Sequence, residues 1–185
     1  MNMFRIFKAM VLATFVLNVA FNAATATEKS REKVIENKKE NAMQEVIKKG
    51  SLGGFKGDSK IFSGDVSVEM AFGSNAWRDF SGGVVRFERA ARSAWHTHPK
   101  GQTLLVLEGA IITGSKVGEK MVVHVARKGD VISCPPGIEH WHGALDNESG
   151  THLALTGEIN GKNVEWHDKV SNEEYQKAIK SLKNN

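Results

Sequence analysis

His96, His98, Gln102 and His140 are the residues whose types and spacing bear most directly on chemistry. In a β-strand, residues i and i+2 face the same way, so His96 and His98 can aim two imidazoles at one point. Gln102 follows a Pro99-Lys100-Gly101 turn and opens the next strand, where it can offer an amide oxygen. A second turn-rich stretch, Pro135-Pro136-Gly137-Ile138-Glu139-His140, brings a third imidazole from far along the chain. Three neutral nitrogens and one oxygen suit one divalent transition metal: manganese, iron, nickel, copper or zinc. Gln102 has an alternative role, as a hydrogen-bond partner that orients a ligand imidazole.

The elements that must hold these residues fit one domain. The chain has 185 residues and a net charge of +4. Arg5 and Lys8 precede an apolar run from Ala9 to Phe21, and Ala24-Thr25-Ala26 supplies small residues at a cleavage spacing. This order reads as a secretory signal peptide over residues 1–26, with export to the periplasm or the medium. The alternative, a membrane anchor, needs about 20 apolar residues, so no stable membrane insertion is expected after cleavage. Removing Arg5 and Lys8 lowers the net charge by two. The remaining charges are mixed in sign and form no basic patch, which argues against a nucleic-acid partner. The single cysteine, Cys134, cannot form an internal disulfide and reads as a small buried apolar residue rather than a nucleophile.

Residues 27–55 form a leader rich in Glu, Lys and Asn, either a solvated helix or a flexible spacer, and Gly50–Gly54 ends it. Residues 56–185 form the compact domain. Short β runs punctuated by Gly, Asn and Asp predict strands at Val66–Phe72, Gly83–Arg89, Ser93–His98, Thr103–Glu108 and Ala110–Thr113. Further strands are expected at Met121–Ala126, Asp130–Cys134, His140–Ala144 and Thr151–Gly157, with turns at Gly114-Ser115-Lys116 and Lys128-Gly129-Asp130. Such strands build a sandwich or barrel. Ser171 and Glu174 form a capping box ahead of a short C-terminal helix.

The chain resembles the cupins. Their first motif runs through His-x-His, an acidic residue and a Gly, and their second through Gly, Pro-x-Gly and a His. His96, His98, Gln102 and Gly109 fall on the first; Gly129, Pro135, Gly137 and His140 fall on the second. The chain departs from the pattern at Ala90, Gln102 and Ala144, where Gly, Glu and Asn are usual. A neutral amide in place of a carboxylate leaves a divalent site nearer +2, which favours anions and strengthens Lewis acidity, and it weakens metal retention. The resemblance implies an all-β fold, a single jelly-roll barrel with an N-terminal helical extension and a short C-terminal helix.

The strings Ala94-Trp95-His96-Thr97-His98-Pro99, His140-Trp141-His142-Gly143-Ala144 and Thr151-His152-Leu153-Ala154 are more narrowly similar to bacterial manganese-dependent cupin hydroxynitrile lyases. That likeness implies Mn(II) on His96, His98, Gln102 and His140, with His152 in proton transfer. It also implies a small-molecule substrate and a homodimer or homotetramer. His142 shares the face of His140 and is either a second catalytic proton carrier or a buried structural histidine. Gly83, Val85, Phe87 and Ser93 are expected to line the cavity by strand alternation and resemblance. His124 reads as a surface histidine and His167 as structural; Trp95 and Trp141, which face away from the ligands, read as packing residues. Three functions follow: a hydroxynitrile-lyase-type enzyme, an oxygen-dependent dioxygenase, and a non-catalytic small-ligand binder.

Overall fold

The computed structural model describes residues 27–36 and 44–183. The expected signal peptide over residues 1–26, residues 37–43 of the expected leader and residues 184–185 lie outside the described residues. The chain divides into two units, Met1–Val46 and Ile47–Asn185. In the first, residues 27–36 are helical and exposed along their whole length. No helix among the described residues is long and apolar enough to cross a membrane.

Among the described residues, the second unit holds twelve strands and a helix. The strands are β1 (Gly54–Lys56), β2 (Phe62–Ser63), β3 (Val66–Phe72), β4 (Phe80–Phe87), β5 (Arg92–Ser93), β6 (His96–Thr97) and β7 (Gln102–Val117), then β8 (Lys120–Arg127), β9 (Val131–Cys134), β10 (His140–Ala144), β11 (Gly150–Gly157) and β12 (Glu165–Trp166). Hydrogen-bonded neighbours run β1-β3-β4-β11-β7-β10-β5-β2; β8 and β9 also pair with β7, β6 with β10, and β12 with β6. Every pairing is antiparallel, and the sheet curls into the all-β jelly roll expected from the motifs.

β7 makes the curl. Its first half pairs with β9 and β11, and its second half pairs with β8 and β10. The change falls at Gly109, whose φ of 61° suits glycine and where a Cβ would lie 2.0 Å from the Ser149 carbonyl oxygen. The strands expected at Thr103–Glu108 and Ala110–Thr113 are therefore one strand of 16 residues.

The expected turn at Gly114-Ser115-Lys116 is corrected: these residues lie inside β7, and the chain reverses after Val117 through Gly118, at φ 61°. Gly114 is small for a different reason, because a Cβ there would lie 2.3 Å from the Trp141 indole nitrogen. Ser93–His98, expected as one strand, is two short ones, β5 and β6, broken at Ala94-Trp95. Lys128-Gly129-Asp130 turns as expected, with Gly129 at φ 94° and the Asp130 carboxylate accepting from the Arg127 amide at 2.7 Å.

Two apolar clusters hold the unit together. Inside the curl, Phe62, Val66, Val85, Phe87, Val106 and Ile111 form the core. In the second cluster, Trp95, Ile112 and Trp141 pack with Tyr175, Ala178 and Ile179 of the C-terminal helix (Asn172–Leu182). Ser171 and Glu174 cap that helix reciprocally, as the sequence predicts. Arg92, buried beneath it, donates to the Val170 carbonyl at 3.0 Å and to the Asn172 side chain at 2.7 Å. The Tyr175 hydroxyl donates to Ala144 O, at the end of β10, the strand that carries His140.

Candidate metal centre

β6 and β10 bring the two distant segments together. His140 pairs directly with His96 in the register, and the Gly137 amide donates to His98 O at 3.0 Å. Gly101, at φ 76°, lets the chain reverse after His98. A Cβ there would stand 2.6 Å from the Cys134 carbonyl, so the turn admits glycine on two grounds. Gln102 then opens β7 between Cys134 of β9 and Thr156 of β11.

His96, His98 and His140 are buried, and one ring nitrogen from each lies within 4.8 Å of the other two. Each Nδ1 faces a backbone carbonyl: Ala94 O for His96 at 2.9 Å, Asn163 O for His98, and Ile138 O for His140 at 2.9 Å. A carbonyl oxygen only accepts, so each Nδ1 carries the proton and each Nε2 keeps its lone pair. That is the tautomer a metal needs, fixed before any metal arrives. The Nε2 atoms of His98 and His140 and Oε1 of Gln102 are buried without a hydrogen-bond partner. Orphaned acceptors of this kind are costly unless something cationic completes them. The Gln102 amide is oriented from behind, where its nitrogen donates to Thr156 Oγ1 at 3.0 Å. The three-histidine group could hold a metal ion, and its donor chemistry fits one.

Burial holds these imidazoles neutral. Desolvation comes first and neighbouring imidazoles or opposing backbone hydrogen bonds second. His140 falls to about 4, His98 is lowered, and His96 is pushed far below its ordinary value. Neutral imidazole is the metal-binding form.

His142 and His152 extend the group into a run of five buried histidines. His142 lies edge-on to His96, with ring centroids 5.0 Å apart, and to His152 at 4.8 Å. His152 Nε2 and His142 Nδ1 are 3.2 Å apart and share one hydrogen bond. The outer nitrogens, His142 Nε2 and His152 Nδ1, have no partner. Whichever way the shared proton sits, one outer nitrogen carries a hydrogen and the other a lone pair. The pair therefore presents one donor and one base at all times. Burial pushes His142 far down and His152 to about 3.

The other expected positions fall around this run. Phe87 packs its ring 5.7 Å from His142 and 5.8 Å from His152. Val85 sits opposite His152 in the register, and Gly83 opposite Ala154. Ser93 Oγ accepts from the His142 amide at 3.2 Å. Trp95 and Trp141 are buried in the helix-side cluster, His124 is exposed, and Cys134 is buried with its thiol pushed up to about 11. His167 is exposed, with its amide donating to Trp95 O.

Three contributors were given no role at the site from the sequence, although Val164-Glu165-Trp166 belongs to the resembling tail. Thr156 was legible, because 152, 154 and 156 share a strand face. Asn163 acts through its backbone carbonyl, which leaves no side-chain signal. Trp166 sets its ring at 47° to that of His96, with centroids 4.8 Å apart, from a strand of two residues too short to show a period.

Comparison with known proteins agrees with this architecture. Residues 83–155 match the Cupin domain family. The chain is 38% identical over 133 residues to an (R)-mandelonitrile lyase of Granulicella tundricola, covering 72% of this chain and 99% of that protein. It is 34% identical to a cupin-like protein of Thermotoga maritima whose crystal structure superposes with a TM-score of 0.62, over 73% of this chain and 97% of that one. A cupin-2 domain of Rhodospirillum rubrum shares the fold at 13% identity and a TM-score of 0.54, over 77% and 94%. The chain belongs to the cupin family.

Proposed function

We propose that this protein is a metal-dependent lyase of the hydroxynitrile lyase type, acting on a small cyanohydrin or aldehyde. His96, His98, Gln102 and His140 hold one divalent metal, Mn(II) by resemblance, with Fe(II), Ni(II), Cu(II) or Zn(II) chemically admissible. The observation that carries the reading is the adjacency of two buried devices: three histidines with a ring nitrogen each within 4.8 Å of the others, and the hydrogen-bonded His142–His152 pair, whose His142 ring lies 5.0 Å from that of His96. The 38% identity to a mandelonitrile lyase supports the reaction class.

When bound, the metal supplies Lewis-acid charge, undiminished because no carboxylate lies among its ligands. The chain's own residues do the proton work. A lone pair on the outer nitrogen of the His142–His152 pair accepts the cyanohydrin hydroxyl proton as the carbonyl forms. The carbon–carbon bond breaks, its electrons leave with cyanide, and the imidazolium returns the proton to that anion. The low basicity of an empty buried imidazole rises when a developing anion shares its cavity. Phe87 packs against both imidazoles, Val85 pairs with His152, and Ser93 accepts from the His142 amide, which keeps the pair aligned.

Export after cleavage near Ala26, and self-association as a homodimer or homotetramer, belong to the same reading. The basic-apolar-small order of residues 1–26 supports the former. Cell fractionation with mass analysis of the mature N-terminus, and light scattering, check these two points.

The test is cleavage of mandelonitrile by Mn(II)-loaded protein, followed as benzaldehyde release. Wild type turns over, and His152→Gln retains metal while losing about 10²- to 10⁴-fold in rate. Activity equal to that of His96→Ala would remove the lyase reading. Turnover that requires oxygen would replace it with the dioxygenase one.

A further inference from the structure

We infer that the segment from residue 158 to residue 168 is a structural part of the metal centre, with Trp166 as a positioning residue for His96. The inference rests on the metal site proposed above, and is independent of which reaction that site performs.

The segment leaves β11 at Gly157 and reverses through a tight bridge between Ile159 and Lys162, with Asn160 at φ 52° and Gly161 at φ 75°. It then runs antiparallel to β6 and is tied to it step by step. Asn163 O accepts from His98 Nδ1, Glu165 pairs with Thr97, and Trp166 pairs with His96. The His167 amide donates to Trp95 O at 2.9 Å, and the Trp95 amide donates to Asp168 O at 3.0 Å. The whole His-x-His segment is thus braced by chain outside the family-matched residues 83–155.

Trp166 is more than packing. Its ring lies 4.8 Å from the His96 ring at 47°, and 5.9 Å from Phe62 at 65°. It remains 37% exposed, whereas His96 is 1% exposed. A tryptophan serving only the core would be buried; this one sits at the edge of the core, set between the His96 imidazole and the Phe62 ring with part of its surface in solvent. On its other sides the His96 ring meets His142 at 5.0 Å and the Ala94 carbonyl at 2.9 Å. The indole therefore limits rotation of the His96 ring, keeps Nε2 on the shared point and holds water off it. Sequence distance hid this: Trp166 is seventy residues downstream of the ligand it orients.

The experiment compares wild type, Trp166→Phe and Trp166→Leu. Each is measured metal-free by thermal unfolding, titrated with Mn(II) by calorimetry, and examined by electron paramagnetic resonance of the bound ion. Leucine keeps an apolar side chain and removes the aromatic face; phenylalanine keeps the face. The expected result is about 10-fold or more weaker Mn(II) binding and a broadened resonance for Trp166→Leu, with Trp166→Phe within about threefold of wild type. Metal-free melting temperatures of the three stay close together. Equal Mn(II) affinity and spectra for both variants and wild type would overturn the inference. So would a Trp166→Leu loss matched by an equal loss of metal-free stability, which marks a purely structural role. If wild type itself binds no Mn(II), the metal site fails first, separately from the role of Trp166.

Discussion

At the scale of single residues, the polar atoms of the three-histidine group and of Gln102 are assigned by the chain itself, with no need of a metal to orient them. Three backbone carbonyls choose the tautomer of His96, His98 and His140, and Thr156 chooses the orientation of the Gln102 amide. Thr156→Val removes the acceptor for Gln102 Nε2 and frees the amide to turn. We expect a loss of about 1–3 kcal/mol in metal-free stability from the unsatisfied nitrogen, and metal affinity lower by about 10-fold. Urea melts and a metal titration read the two effects separately. The ligand types were legible in the sequence because a period-two strand puts His96 and His98 on one face. The contact between His142 and His152 was not legible. It is made across the barrel between β10 and β11, and no local pattern encodes a cross-barrel distance.

At the scale of elements, glycines decide where strands bend and where they cannot grow. Gly101 turns the chain from β6 into β7, so Gly101→Ala meets both a left-handed φ and the Cys134 carbonyl. The expected cost is about 1–3 kcal/mol, with weaker metal binding because Gln102 is displaced along with the turn. Denaturant midpoints with and without Mn(II) check it. The same residue type misleads when its reason is packing. Gly114 followed by Ser115 and Lys116 has turn chemistry, yet β7 runs straight through it, because the glycine makes room for Trp141. Local composition shows that a side chain is absent; only the facing element shows why. The capping box at Ser171 was readable because both of its partners are three residues apart.

At the scale of the whole molecule, five neutral imidazoles in one interior tie stability to pH. All five have folded values below the ordinary 6.5, chiefly through burial. A histidine lowered on folding is protonated more readily when unfolded, so acid favours the unfolded chain. Their contribution is complete above about pH 6.5, and it drains away as pH falls through about 4 for His140 and about 3 for His152. The metal-free melting temperature should therefore drop steadily below pH 6.5, and Mn(II) should push the drop to lower pH by binding only the folded, neutral form. A flat melting temperature between pH 6.5 and 4.5 would contradict this. The all-β class, the capped helix and the convergence of His96, His98 and His140 could be read from the chain. The joining of two expected strands into β7, and the bracing of His96 by Trp166, could not, since both depend on how distant segments meet.

The central claim is that His96, His98 and His140 converge on one ion. Its most direct test is metal content by elemental analysis after Mn(II) loading and exhaustive dialysis, on wild type and on His140→Ala of matched metal-free stability. The account predicts one manganese per chain in wild type and a near-complete loss in the variant. Equal content in the two proteins, or none in either, would contradict it.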